Sequence, residues 1–217
     1  SITAGGVEFC GKSIEKMKEK ELAELRLDEM GFIFQQMYML KNLSVLDNII
    51  LPACQSEKVK ESRKEIVQRG EALMRKLGII EIADNDITEV SGGQLQRALL
   101  CRSIILNPKL LILDEPTNFV DNRFENELYM LLKQLNEQMA IVMVSHDLGT
   151  ISSVVKSIVC VNQSVHRHDS NIITAEQLEN YHCPIQIISH GHNRQHINGN
   201  QRSNADHANQ QPQRRWR

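Results

Sequence analysis

Two apolar runs of strand length, with an amphipathic helix between them, constrain the fold of this chain more than any other feature. The runs are LLIL at 110–113 and AIVMV at 140–144, and a third run, IVCV, follows at 158–161. Between the first two, apolar residues recur on one face of a predicted helix over 124–138. Because strands that are buried on both faces read as continuous apolar runs, the pattern predicts an α/β fold with a parallel sheet.

Changes in composition and residues that end helices divide the rest of the chain into segments. GFIF at 31–34 reads as a short buried strand, and residues 44–106 are predicted to be helical, with Gly78 as a stop signal. Residues 193–217 are rich in Asn, Gln and Arg and hold few aliphatic side chains, so we predict a disordered tail. We therefore expect one domain over 1–192, with a helical subdomain over about 44–106.

The bulk composition excludes several classes of protein. It is 41% hydrophobic and 24% charged, which is typical of a globular chain. The longest apolar runs are far shorter than the roughly 20 residues that cross a bilayer, so we expect any membrane role to depend on a partner. Five scattered cysteines without a CxxC pair indicate a reducing cytoplasm. A formal net charge of -2 does not suggest a nucleic-acid-binding body.

Two adjacent carboxylates, Asp114 and Glu115, follow the LLIL run in the string LLILDEPT. Open α/β sheets bind their ligands beyond the carboxyl ends of the strands. Phosphoryl transfer needs a carboxylate that holds Mg²⁺ and a group that orients the attacking water, and these two residues are candidates for the two roles in that order. Taken alone, the Asp-Glu pair also fits an acidic loop after a strand.

A Ser-Gly-Gly turn opens the predicted helix in VSGGQLQR at 90–97. A helix start of this kind exposes backbone N–H groups and the positive end of the helix dipole to an anion. Taken alone, it also fits an ordinary capped helix. The strand that carries Asp114 follows closely along the chain, and the two strings in this order favour a phosphate site.

The strings resemble the motifs of the ATP-binding cassette (ABC) family, in which FIFQQ, NFVD and VSHD also have counterparts. The resemblance implies a P-loop NTPase-like cassette core, ATP and Mg²⁺ as cofactors, and ATP hydrolysis coupled to transport. It also implies that the signature loop contacts the γ-phosphate of ATP held by a second subunit. The residues that match this loop are Ser91, Gly92, Gly93 and Gln94.

The resemblance assigns a role to each remaining candidate. Asp114 matches the Mg²⁺-associated aspartate, and Glu115 matches the residue that polarises the attacking water. His146 matches the histidine that senses the γ-phosphate. Gln35 matches the glutamine that links the metal site to the transmembrane partner, and Asp121 is a candidate for contact across the dimer interface.

The resemblance further implies the partners and the location of the chain. A second ATP-binding subunit, expected to be an identical copy, completes the nucleotide sites. A separate transmembrane permease subunit anchors the assembly, which places the chain in the cytoplasm on the inner face of the plasma membrane. No nucleic-acid partner is expected.

The string GVEFCGKS, Gly6–Ser13, satisfies the GxxxxGK[ST] pattern, but we interpret it as a hairpin. A phosphate-binding P-loop follows a buried apolar strand and opens a packed helix, and neither flank has that character here. The resemblance places this stretch in the β-hairpin that follows the P-loop helix of the family. We therefore expect an N-terminally truncated cassette that lacks the first core strand and the Walker A loop, and that is inactive alone.

The two halves of the chain suggest different transported substrates. Residues 14–106 resemble ATPases of lipoprotein-release and macrolide-export systems, whereas residues 108–192 resemble ATPases of zinc and manganese uptake. Metal uptake is the leading interpretation, because its resemblance is longer after the Asp-Glu strand, and export is the alternative. Seven of the eight histidines lie at or after position 166, and we interpret them as solvated, since His-x-His lacks the spacing of a closed zinc site.

Two other classes of protein share some of these motifs or fit the same residues. ATPases of chromosome maintenance share the signature and Walker B motifs but insert a long coiled coil, and no sustained heptads lie between Gln35 and Ser91. A pseudo-enzyme that offers only Ser91–Gln94 to the ATP of a partner stays open as an alternative.

Overall fold

The computed structural model of the chain describes residues 5–35, 38–116, 122–145, 154–162 and 164–170. All of them lie in the first of the two units into which the chain divides, residues 1–187. Within this described part, no helix is long and apolar enough to cross a membrane. The α-helices are α1 Glu19–Glu29, α2 Val45–Gln55, α3 Arg63–Lys76, α4 Gly92–Ile104 and α5 Asn122–Leu135. The strands are β1 Glu8–Phe9, β2 Lys12–Ser13, β3 Met30–Ile33, β4 Leu110–Asp114, β5 Ala140–Val144, β6 Ile158–Asn162 and β7 Ser164–His168.

The central sheet has three parallel strands in the order β3, β4, β5. LLIL lies in β4, AIVMV forms β5, and GFIF overlaps β3, as their apolar character predicts. The helix predicted between the first two runs is α5, although it begins and ends two to three residues earlier. The strand, helix and strand pattern and the α/β fold are therefore confirmed.

The prediction for IVCV is wrong among the described residues. This run lies in β6, which pairs antiparallel with β7 and places Cys160 opposite His166, instead of joining the parallel sheet. A single residue, Gln163, separates the two strands, so closing this hairpin orders far less chain than reaching a distant parallel partner. Val159 and Val161 point to solvent as a result.

Two clusters of buried side chains stabilise the described fold, at about 1.5–3 kcal/mol for each large apolar side chain removed from water. The sheet cluster comprises Ile33, Leu100, Ile104, Leu111, Leu113, Leu128, Tyr129, Leu132 and Met139. The helical cluster is centred on Val45, Ile49, Ile50, Met74, Ile79, Ala98 and Cys101. The helical cluster falls within the segment predicted to be helical, while the boundaries of a subdomain over 44–106 and of a domain over 1–192 stay predictions.

Both ends of α3 follow from local chemistry. Ser62 caps its start, since the Ser62 N–H donates to Glu65 Oε2 (2.7 Å) and the Glu65 N–H donates to Ser62 Oγ (3.4 Å). At its end Gly78 takes a left-handed backbone, φ 65°, and the N–H of Ile79 donates to the carbonyl of Met74 (2.9 Å). The predicted stop at Gly78 is confirmed.

Helix α4 joins the two clusters, because Ala98 and Cys101 pack in the helical cluster while Leu100 and Ile104 pack in the sheet cluster. Burial raises the pKa of the Cys101 thiol to about 12, so this residue packs as an uncharged apolar group. The approach to β3 is close at Gly31, where an added Cβ would lie 2.5 Å from the carbonyl oxygen of Ser103. Only glycine allows this contact, which ties α4 to the sheet.

Candidate functional site

The carboxyl ends of β3, β4 and β5 meet at one edge of the sheet, because the three strands are parallel and in register. Asp114 is the last residue of β4, and Glu115 follows it. Gln35 comes two residues after Ile33, the last residue of the neighbouring β3. The structure thus brings Gln35 to the same edge as the two candidate carboxylates, although they are far apart in the sequence.

Glu115 has a left-handed backbone, with φ 49°, directly before Pro116. This conformation costs a non-glycine residue about 1–2 kcal/mol, and a following proline also disfavours helical backbone. The Glu115 N–H still donates to the carbonyl of Val144 (2.9 Å), so the pairing with β5 continues while the chain turns. Backbone strain of this kind clusters at functional sites, and no sequence pattern predicted it.

The edge offers oxygen atoms that suit a magnesium ion. Asp114 is partly buried at the end of the central strand, and Gln35 is exposed beside it. No group of three or more His, Cys, Asp or Glu side chains that could hold a metal ion occurs within the described ranges. Mg²⁺ commonly binds through one or two carboxylates together with waters and substrate phosphates. The edge therefore fits an ion that arrives with a phosphate ligand.

The signature loop, Ser91–Gln94, is called the signature turn from here on. It begins α4 with a capping box. The Ser91 N–H donates to Gln94 Oε1 (2.9 Å), and the Gln94 N–H donates to Ser91 Oγ (3.3 Å). Ser91 and Gly92 are exposed, and a Cβ added to Gly93 would meet no atom within 4 Å. The first turn of α4, which is described throughout, carries no acidic residue, so no carboxylate of that turn offsets the positive end of the helix dipole. This end of the helix can accept an anion.

The turn and the carboxylate edge belong to different elements of the chain, the start of α4 and the end of β4. In the described part, the side chains of Ser91 and Gln94 form hydrogen bonds only within the turn. From the turn, the 13 residues of α4 extend roughly 20 Å to the link that enters β4. Asp114 lies at the far end of β4 from that link. The described structure thus shows no hydrogen bond from the side chains of Ser91 or Gln94 to the edge.

Two predicted site residues, Asp121 and His146, lie outside the described residues. The predicted tail over 193–217 does too. His146 directly follows Ser145, which comes immediately after β5. The roles of Asp121 and His146 therefore stay predictions from the resemblance.

The stretch Gly6–Ser13 forms a β-hairpin, as predicted. Strands β1 and β2 pair antiparallel, with Phe9 opposite Lys12. Cys10 and Gly11 form the two-residue turn with φ values of 50° and 75°, the positive values that a type I′ turn requires. Lys12 is therefore a strand residue, followed by a single 3₁₀ turn, and lacks the helix-opening position of a P-loop lysine.

Asn48, which no motif singles out, anchors the segment that follows Gln35. Its Oδ1 accepts from the Leu40 N–H (2.8 Å), and its Nδ2 donates to the carbonyls of Leu40 (3.0 Å) and Ser44 (3.0 Å). The side chain is fully buried, so each lost hydrogen bond would leave an unpaired polar group. A polar residue inside the apolar string VLDNIIL is the signal that points to it.

The chain is similar to known ATP-binding proteins of transport systems. A family profile described as "ABC transporter" matches residues 1–118, more than half of the chain. The bacitracin export ATP-binding protein BceA of Halalkalibacterium halodurans is 39% identical over 148 residues, which cover 67% of this chain and 57% of that protein. The macrolide export ATP-binding/permease protein MacB of Psychrobacter arcticus is 32% identical over 188 residues, which cover 86% of this chain and 27% of that protein. The chain thus spans only part of the length of these relatives.

Among solved structures, the chain is similar to the ATP-binding cassette MJ0796, a dimer in a post-hydrolysis state bound to ADP and Pi. The TM-score is 0.67 and the identity 28%, over 72% of this chain and 68% of that one. The two relatives above are named for export, so they do not support the predicted zinc or manganese uptake. The chain belongs to the ABC transporter family, and its described part has the α/β fold of that family's ATP-binding cassettes.

Proposed function

We propose that this chain is the ATP-hydrolysing subunit of an ABC exporter and that it drives transport through a separate membrane partner. The observation that carries the proposal is the edge formed by Gln35, Asp114 and Glu115 at the carboxyl ends of parallel strands. A left-handed backbone at Glu115 turns the chain at this point, where the sheet pairing ends.

Each residue at the edge has a distinct part in the proposed reaction. Asp114, with help from the amide oxygen of Gln35, would hold Mg²⁺, which would neutralise charge on the phosphates of ATP. Glu115 orients the attacking water and accepts its proton as general base. Asp121 and His146 are proposed by family resemblance to act across the dimer interface and on the γ-phosphate.

We propose that hydrolysis requires two copies, because the resemblance implies that the signature loop of one copy contacts the ATP held by the other. Ser91, Gly92, Gly93 and Gln94 present a helix N-terminus that has room for an anion. In the dimer this turn contacts the ATP bound at the edge of the second copy. The dimeric state named for MJ0796 supports this arrangement.

A matched pair of substitutions tests the role of the signature turn. Ser91→Ala and Ser62→Ala each remove a serine cap with nearly the same geometry, with Oγ to backbone N–H distances of 3.3 and 3.4 Å. We expect each to lower the free energy of unfolding by about 0.5–2 kcal/mol. Only Ser91→Ala should also weaken association driven by Mg-ATP, measured by sedimentation velocity. If both variants associate as strongly as the unsubstituted protein does, Ser91 does not contribute to the interface.

A second candidate function is favoured by the hairpin at Gly6–Ser13. A chain whose GxxxxGK[ST] string is a hairpin fits a subunit that offers only its signature turn to the ATP of another cassette. Both functions share the dimer and differ in whether this chain holds nucleotide itself. Mg-ATP binding by the purified chain separates them.

Lys12→Ala should leave Mg-ATP binding unchanged, because Lys12 is a strand residue of the hairpin. Isothermal titration of the two proteins checks this, and equal affinities, or no binding by either, are the expected results. Loss of binding on substitution would mean that the hairpin rearranges into a working phosphate loop. That outcome would contradict the interpretation of this stretch.

We propose export as the direction of transport. The support comes from relatives named for bacitracin and macrolide export. The resemblance of residues 108–192 to metal-uptake ATPases finds no support in these relatives, and we do not carry metal uptake forward as the leading substrate class. The expected location is the inner face of the plasma membrane, through a permease subunit, with no nucleic-acid partner.

A further inference from the structure

A groove of about 490 Å³ lies between the end of α3, the middle of α4 and one side of α5. All three helices contribute apolar side chains to it, among them Leu77, Leu100 and Met130. The groove is open, since Met130 is 66% exposed. Among the residues that the structure describes, none from the carboxylate edge or the signature turn lines it. Close apolar packing therefore does not fix the spacing of the helices on this side.

The start and the end of α4 pack against different parts of the fold. Near its start, Leu95 and Ala98 pack in the helical cluster. The α4 residues that pack in the sheet cluster, Leu100 and Ile104, come later in the helix. The signature turn lies at the start of α4, before all of these residues. How the turn is oriented relative to the sheet and α5 therefore depends on a contact made near the start of α4.

Arg97 makes such a contact, because it pairs with a carboxylate of α5. Its Nη2 lies 3.2 Å from Glu127 Oε2, and both residues line the groove. Its Nη1 lies beside the end of α3, where a Cβ added to Gly78 would be 3.9 Å away. A helix carries partial negative charge at its C-terminus, so a cation is favoured there. One guanidinium on α4 thus lies against both α3 and α5.

The geometry of this ion pair suits orientation better than stability. The side chains of Arg97 and Glu127 are 26% and 54% exposed, and ion pairs that water reaches add little to the stability of a fold. The guanidinium is planar and binds in a fixed direction, so the pair restrains the angle of α4. Arg97 follows Ser91 by about 9 Å along the same helix. A tilt of α4 at Arg97 therefore moves the signature turn.

We propose that Arg97 is a positioning residue, which through Glu127 holds the signature turn in the orientation that meets the ATP of the second copy. The inference rests on the proposed function, which gives the turn this role. It adds a residue outside Ser91–Gln94 on which the turn depends. It also names the element against which the turn is held, α5, which begins shortly after the carboxylate edge.

Hydrogen exchange of the full chain without nucleotide tests the positioning step by itself. Arg97→Gln should speed the exchange of backbone amides in the signature turn by about two- to fivefold, the range expected for the loss of one exposed ion pair. Arg75→Gln is the matched control. Arg75 also pairs with a glutamate, Glu71 at 2.8 Å, but that pair lies within α3 and joins no other helix. Its loss should leave exchange at the turn unchanged.

Association driven by Mg-ATP, measured by sedimentation velocity, tests the consequence for function. A turn that spends less time in the binding orientation weakens the apparent affinity in proportion, and a dimer contains two turns. We therefore expect Arg97→Gln to raise the dissociation constant of the dimer by about four- to 25-fold. Arg97→Lys keeps the charge but lacks the planar fork, so its effect should be intermediate. Arg75→Gln should associate as the unsubstituted protein does.

A double-mutant cycle assigns the effect to the ion pair. Glu127→Gln should weaken association in the same direction as Arg97→Gln. The variant that carries both substitutions should associate no more weakly than Arg97→Gln alone, because the pair is already lost when either partner is replaced. Thermal unfolding of each variant checks that the fold persists. Additive effects of the two substitutions would mean that Arg97 does not act through Glu127, which contradicts the proposal.

Other outcomes would also overturn the proposal. These are unchanged exchange at the signature turn with Arg97→Gln, equal changes with Arg97→Gln and Arg75→Gln, or full association of the Arg97→Gln protein. If the unsubstituted protein does not associate with Mg-ATP, the proposed function fails, whereas exchange at the turn still decides whether Arg97 positions it. The two ideas can therefore fail separately.

Discussion

Glu115→Gln is expected to lower the rate of ATP hydrolysis by about 10²–10⁴-fold in the assembled ATPase, which is the usual contribution of a general base. Glutamine keeps the size of the side chain and its hydrogen bonding to water but cannot accept the proton. The substitution should leave the backbone in place, because the N–H of residue 115 donates to the carbonyl of Val144 whatever the side chain is. Steady-state release of phosphate measures the effect.

ATP should still bind when Glu115 is replaced by Gln. ATP-dependent association is expected to persist with Glu115→Gln, since Asp114 and the signature turn are unchanged. Glu137→Gln is a matched control, because it makes the same chemical change on an exposed residue just before β5. A Glu115→Gln protein that hydrolyses ATP at the unsubstituted rate would remove Glu115 from the mechanism.

Leu113→Ala is expected to lower the free energy of unfolding by about 2–5 kcal/mol. Leu113 has no exposed surface and lies in β4, the strand with a neighbour on both sides. Truncation removes buried apolar surface and leaves a cavity that the paired strands cannot close. Because a domain typically has only about 5–15 kcal/mol of stability, this loss is large. Urea unfolding followed by circular dichroism measures it through the midpoint.

Val142→Ala is the control for the prediction on Leu113→Ala. Val142 lies on the neighbouring β5 but is 51% exposed, so its truncation removes less buried surface and leaves no enclosed cavity. We expect a change well below that of Leu113→Ala, together with unchanged ATP-dependent association. Equal destabilisation by the two substitutions would mean that β4 is not the centre of the sheet cluster.

The parts of the fold that the sequence predicted are those with a local cause. The apolar runs at 110–113 and 140–144 form strands, and Gly78 ends α3 in the left-handed conformation that glycine adopts most easily. The flanks of Gly6–Ser13, which lack a buried strand before and a packed helix after, correctly favoured a hairpin over a phosphate loop. Each of these depends on a few neighbouring residues, so a single sequence contains the necessary information.

The prediction for IVCV was wrong and the substrate prediction gained no support, because neither property depends on a few neighbouring residues. IVCV has the same apolar character as LLIL, yet it pairs in a hairpin with β7, because strand pairing depends on where the chain returns and not on the strand alone. The substrate prediction failed to gain support for a related reason. The motifs that carry the resemblance concern ATP hydrolysis, whereas under the proposed function the transported molecule contacts the membrane partner.

The sequence by itself determined the strands and helices of the sheet, the order of the motifs and thereby the family, since these depend on periodicity and spacing along the chain. Only the tertiary structure decided that Gln35 lies at the edge of Asp114 and Glu115, and that Gly31 admits the backbone of α4. Register, close packing and burial are properties of residues distant in sequence, so no local pattern encodes them.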